Sequence, residues 1–159
     1  MYSVGSFVKP IKLAAFLAAA LVLAGSQHLL GAGANDDVIA GPVEAQVLRV
    51  VDGDTIVVRA RIWLDQDIRT GVRLLGVDTP ELNGKCEKES RLARKARDFV
   101  RDKLEGQTVH LHDIDYDKYA RRVVARVRFS ESEYLSEVLL KAGLGHPYGG
   151  GKRASWCLD

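Results

Sequence analysis

The sequence predicts a mainly β fold with a smaller helical part, a five-stranded barrel carrying two helices. Three observations carry that expectation. Apolar and polar residues alternate from Val43 to Val77 around two turn signals. Apolar residues then recur at helical spacing over 87–104. Two more alternating runs and a short second helical stretch complete the chain's regular part.

The elements follow in order. Val47, Val50, Val51, Ile56, Val57 and Val58 surround Asp52-Gly53, a dipeptide that favours a hairpin turn. Ile56, Val58, Ala60, Ile62 and Leu64 alternate with Val57, Arg59, Arg61 and Trp63, which makes a long half-buried strand. Asp65-Gln66-Asp67 is the next turn, and residues 68–77 return. In that strand Val72, Leu74 and Gly76 share one face, and Arg73, Leu75 and Val77 the other. Pro80 removes a backbone donor and ends the ladder.

Leu92, Ala93, Ala96, Phe99, Val100, Lys103 and Leu104 line one side of a helix over 87–104, whose outer side carries Arg91, Arg94, Lys95, Arg97 and Arg101. Gly106 ends it. Thr108–Ile114 and Arg121–Phe129 are strands. Leu135, Val138, Leu139 and Ala142 form a second helix closed by Gly143. Pro147 and Gly149-Gly150-Gly151 predict an irregular tail, tied down by Cys157 and Trp156. Three strands, a helix, two strands and a helix close as a Greek-key barrel of the OB type.

The 159 residues divide into a leader (1–34), a linker (35–42), the barrel (43–148) and a Gly-rich tail (149–159). The leader pairs Lys9 and Lys12 with an apolar run, Leu13 to Ala24, and a small-residue stretch, Ala32-Gly33-Ala34. That is the pattern of a secretory signal peptide, and the run is short against the roughly 20 residues of a bilayer span. The expected location is secreted or periplasmic, or membrane-anchored if the leader is retained. The full chain has 23 Lys+Arg and 21 Asp+Glu. Losing Lys9 and Lys12 with the leader brings the charge to zero, which excludes a global basic field as the source of nucleic-acid affinity.

The only cysteines, Cys86 and Cys157, lie beyond the leader. An oxidising compartment makes a disulfide between them the default, ahead of two free thiols or a two-Cys metal site.

Arg73-Leu74-Leu75-Gly76-Val77-Asp78-Thr79-Pro80-Glu81 places one cation and two carboxylates at a strand exit. That combination suits metal binding and phosphate chemistry. Asp52-Gly53-Asp54-Thr55 alone is an ordinary tight turn. It becomes functional only if Asp54 points where Asp78 points. Thr79-Pro80-Glu81 alone reads as a helix or turn start. Arg121 shares the apolar phase of Val123, Ala125, Val127 and Phe129, so its guanidinium must find a carboxylate or reach the barrel mouth. Asp113, Asp115 and Asp117 fail as an EF-hand, with Lys118 at the sixth position and Val124 at the twelfth. His110 and His112 share a face without a third ligand, which is weak evidence for metal.

In combination these motifs are more specific. Asp52-Gly53-Asp54-Thr55, then Arg73 to Glu81, then Asp117-Lys118-Tyr119-Ala120-Arg121 resembles the staphylococcal nuclease (thermonuclease) family over about residues 43–148. Ser136 to Leu144 is similar to that family's closing segment. The resemblance implies an OB-fold, calcium-dependent phosphodiesterase acting on DNA and RNA. It implies Asp54, Asp78 and the Thr79 carbonyl as cation ligands, with Asp52 as an outer acid. It implies Arg73, Glu81 and Arg121 as catalytic residues, and Lys118 and Tyr119 as contacts to a terminal phosphate. The family's aromatic pair is reduced to Tyr148 as a base contact. With two protein carboxylates, calcium affinity on the order of 10⁻⁴–10⁻³ M is expected, a level met outside cells.

The chain departs from the family at three places. Ala120 stands where glycine is usual. A third C-terminal helix has no room. Ile62-Trp63-Leu64 lengthens a hairpin, where Trp63 offers a surface patch or a partner contact. The alternatives to an exported monomeric nuclease are a non-catalytic OB-fold nucleic-acid-binding module and a purely structural exported domain.

Overall fold

The computed structural model describes residues 37–119 and 121–157. The leader lies outside these, as do the start of the linker and Ala120. The elements are β1 (Val43–Val50), β2 (Thr55–Trp63), β3 (Gln66–Leu74), β4 (Gly76–Asp78), α1 (Glu87–Leu104), β5 (Thr108–Tyr116), β6 (Arg122–Arg128), α2 (Leu135–Lys141) and β7 (His146–Tyr148). Five strands close a barrel in the order β1-β2-β3-β6-β5, and β4 with β7 forms a separate two-stranded sheet. The expected mainly β, five-stranded OB-type barrel with two helices is the fold observed.

The barrel closes because alternation leaves one apolar face per strand. Val47, Ile56, Val58, Val72, Leu74, Val109, Leu111, Ala125 and Val127 are buried inside it. Val100 and Leu104 of α1 and Leu135 and Leu139 of α2 join that core. Helix α1 has the predicted span. Glu87 and Glu89 in its first turn and Arg101 and Lys103 in its last complement its dipole. Gly106, at φ +79°, turns the chain into β5. Among the described residues no helix is long and apolar enough to cross a membrane.

Four expectations need correction. Ile62 and Leu64, in the apolar phase of β2, are 49% and 81% exposed, and Trp63 is 70% exposed. β1 pairs with β2 only as far as Ala60, and β6 meets β3 only from Gly71, so 61–69 is an uncovered ribbon. Its turn falls at Leu64-Asp65, with Asp65 at φ +59°, rather than at Asp65-Gln66-Asp67. Second, the phase of β3 does not run on to Val77. The chain turns at Gly76, φ +85°, and β4 buries both Val77 and Asp78. Third, the chain around Pro147 is regular after all. His146–Tyr148 pairs with Gly76–Asp78, and proline is tolerated there because β7 is an edge strand.

The fourth correction concerns Arg121. It precedes β6 in a turn, at φ +65° and exposed, so it does not share the buried phase of Ala125 and Val127. Its carbonyl accepts a bond from the Thr70 hydroxyl. Whether Ala120 is strained lies outside the described residues.

Candidate active site

Asp54 leaves the β1–β2 turn facing β4. Gly53 permits this, since a Cβ there would come within 2.8 Å of Ala96 Cβ and of Thr79 Oγ1. The Asp54 carboxylate is almost wholly buried. Its Oδ2 accepts from the Thr79 amide at 2.8 Å and the Thr79 hydroxyl at 3.1 Å. Its Oδ1 accepts from Arg73 Nη1 at 2.6 Å and Thr55 Oγ1 at 3.2 Å. Arg73 sits on the outward face of β3, opposite Thr55, and its Nη2 reaches Asp78 Oδ1 at 3.2 Å. One guanidinium therefore joins the two carboxylates that the sequence placed 24 residues apart, at positions 54 and 78.

Asp78 is equally buried, and its Oδ2 has no hydrogen-bond partner among the described residues. A buried, unpartnered carboxylate oxygen is costly unless a cation meets it. With Asp54 and the Thr79 carbonyl it gives an all-oxygen donor set, the kind a hard divalent cation takes. Glu81, half-exposed, stands at the edge of the cluster. The Asp52 carboxyl, expected as the outer acid, is pushed up to about 6, first by burial and then by the negative charge of Asp54.

A cavity of about 610 Å³ opens in front of this cluster. Asp52, Arg73 and Glu81 line it on one side, Lys118, Tyr119 and Arg122 on another, and Tyr148 and Arg153 on the tail side. Arg73 lies 5.9 Å from the Tyr148 ring centroid, and the Tyr148 hydroxyl donates to the Gly151 carbonyl at 2.9 Å. Lys118 and Arg122 both sit over the Tyr119 ring, at 5.1 and 4.8 Å. Arg122 is also ion-paired with Asp117. Burial works against ionising Asp117, yet the hydrogen bond and charge of Arg122 hold its carboxyl below the usual range.

The sequence-expected residues Asp52, Asp54, Arg73, Asp78, Thr79 and Glu81 thus gather at one place, with Lys118, Tyr119 and Tyr148 around the same cavity. Arg121 does not line it. Two residues that sequence reasoning missed do. Arg122 faces outward from β6 beside Gly71, two residues from Arg73 on the same face of β3. Arg153 comes from the tail, with Nε at 2.6 Å from Asp78 Oδ1, Nη2 donating to the Thr79 carbonyl at 2.7 Å, and Nη1 on Glu81. Cys86 and Cys157 are disulfide-bonded, which brings the tail back toward Glu81. A signal for Arg153 was present: a bond to Cys86, five residues after Glu81, obliges the tail to return there.

Known proteins are similar to this chain in sequence. The family described as Staphylococcal nuclease homologue matches residues 71–153. The match begins after Asp52 and Asp54 and ends on Arg153. A thermonuclease of Staphylococcus hyicus is 36% identical over 104 residues, covering 62% of this chain and 56% of the relative. An uncharacterized protein of Bacillus anthracis is 30% identical, covering 65% and 46%. An uncharacterized endonuclease of Escherichia coli is 26% identical, covering 70% and 65%. The alignments span less than two thirds of each relative's length. With the barrel, the two helices and the matched segment in agreement, the chain belongs to the staphylococcal nuclease homologue family.

Proposed function

We propose that this chain is an exported, calcium-dependent phosphodiesterase that hydrolyses DNA and RNA. The observation that carries the reading is the meeting of Asp54, Asp78, the Thr79 carbonyl and Glu81 around Arg73 and Arg153, in front of a cavity lined by further cations. The names of the thermonuclease and endonuclease relatives point the same way. Export rests on the leader pattern of residues 1–34.

In this reading Asp54, Asp78 and the Thr79 carbonyl would hold a calcium ion, whose charge would serve to polarise a phosphoryl group. Arg73, fixed by two carboxylates, turns its remaining donor surface to the cavity and stabilises negative charge gathering on phosphorus. Glu81 accepts a proton from the attacking water at a carboxylate oxygen, or orients that water. Lys118 and Arg122 receive a flanking phosphate. Tyr148 stacks a base, a contact worth roughly 1–3 kcal/mol.

The test is cleavage of single- and double-stranded DNA and RNA by the purified protein with calcium, with magnesium and with chelator. Cleavage that requires calcium is expected, and chelator-insensitive or absent cleavage refutes the reading. Arg121 is exposed and is not among the residues that line the cavity, which favours a second reading, a non-catalytic nucleic-acid-binding module. Tight binding of the same substrates without turnover supports that alternative.

A further inference from the structure

We propose that Arg153, tethered at the site by the Cys86–Cys157 disulfide, is a built-in competitor of the divalent cation for the oxygens of Asp78 and Thr79. The inference rests on the cation-site reading given under Proposed function.

The guanidinium of Arg153 touches Asp78 Oδ1 at 2.6 Å, the Thr79 carbonyl at 2.7 Å and Glu81. Two of these three residues are the proposed ligands. A calcium ion held at about 2.3–2.6 Å by the open Asp78 Oδ2 and the Thr79 carbonyl would share that carboxylate and that carbonyl oxygen with Arg153, and two cations so close repel. Arg73 is placed differently. It bridges Asp54 and Asp78 from the outward face of β3, where backbone pairing with both β2 and β6 fixes it.

The tail is built to keep Arg153 in place. On one side β7 pairs with β4, in a register that sets His146 opposite Asp78. On the other, Trp156 is buried and stacks on His146, with ring centroids 3.7 Å apart, and Cys157 is bonded to Cys86. Between these anchors Gly150 and Gly151 hold φ of +100° and +87°, a backbone that lets the loop bend back over the cavity. A guanidinium held this way acts at high effective concentration. When a cation takes the oxygens, Arg153 is released but not lost. It stays within the loop, over the cavity, where a phosphate is the next available anion.

Linkage makes the competition measurable without turnover. Calcium affinity is read by titration calorimetry on the full chain and on Arg153→Ala, Arg153→Gln and Lys152→Ala, each first shown to melt like the wild type. Lys152 is exposed and carries the same charge one residue away, so it reports the general field. Arg153→Ala and Arg153→Gln are expected to bind calcium about 5-fold tighter or more, and Lys152→Ala to stay within about 2-fold of wild type. A Cys86→Ser/Cys157→Ser variant, which frees the tail, shifts in the direction of Arg153→Ala. Equal or weaker calcium binding by Arg153→Ala than by Lys152→Ala overturns the competition while leaving the cation site intact. No calcium binding by wild type or by Arg153→Ala overturns both.

Discussion

Removing the disulfide is the perturbation whose size follows most directly from the structure. Cys86 and Cys157 are 71 residues apart, and the loop they close contains α1, β5, β6, α2 and β7. In the chain-entropy account a cross-link of that length stabilises the fold by roughly 4 kcal/mol. Domains of this size are stable by only about 5–15 kcal/mol in total, so the loss is a large fraction. A Cys86→Ser/Cys157→Ser double variant is therefore expected to unfold about 10–20 °C lower. Urea unfolding followed by tryptophan fluorescence gives the free energy, and it reports the tail as well, because Trp156 is buried on His146. If the tail detaches before the barrel melts, fluorescence changes ahead of circular dichroism. A loss below about 1 kcal/mol with coincident transitions refutes the claim that the staple restrains the barrel. Two titratable thiols in the unreduced wild type refute the bond itself.

Further outcomes are expected at the site and on β5. Arg73→Ala removes the bridge between two buried carboxylates and should lower the cleavage rate at least ~100-fold. Arg73→Lys, which keeps the charge but not the fork, should recover stability more than rate, and near-wild-type rates in both variants count against the role of Arg73. His112 is held below its usual pKa of 6.5, first by burial and then by Arg128, with Arg126 and His110 adding to this and Asp113 opposing. Its Nε2 is buried without a partner among the described residues. Protonation therefore favours the unfolded chain, and stability present above pH 6.5 is lost as pH falls below it. His112→Gln should flatten that part of the profile in denaturant titrations, and an unchanged slope rules out this origin.

What could be read from the sequence, and what could not, divides along physical lines. Strand alternation tells which side of a strand is apolar, and that was enough for the inner face from Ile56 to Ala60 and for Val72 and Leu74. It cannot tell whether a neighbouring layer exists to cover that side. Ile62 and Leu64 continue the pattern past the end of β1 and are exposed for that reason. One half of the site was legible because Arg73, Asp78, Thr79 and Glu81 are close in sequence and flank one strand break. Arg121 was misplaced by extending the phase of β6 backwards into a turn. The three-residue strands β4 and β7 are too short to carry any periodicity, yet their pairing sets where the tail begins its return.

The two guanidiniums of the cluster come from opposite ends of the matched segment and are held with different strength. Arg73 is 19% exposed and Arg153 34% exposed, and both meet Asp78 Oδ1. The backbone of Arg73 is paired on both sides, between Thr55 and Val124, which fixes where its side chain starts, and its guanidinium bonds two carboxylates. Arg153 is held by its ion pairs, its bond to the Thr79 carbonyl and a glycine-rich loop, so moving it breaks no ladder. On the proposed competition, an added cation among these acids would displace the more weakly anchored partner. The barrel would then set the order of events at the site, with the strand arginine staying and the tail arginine yielding.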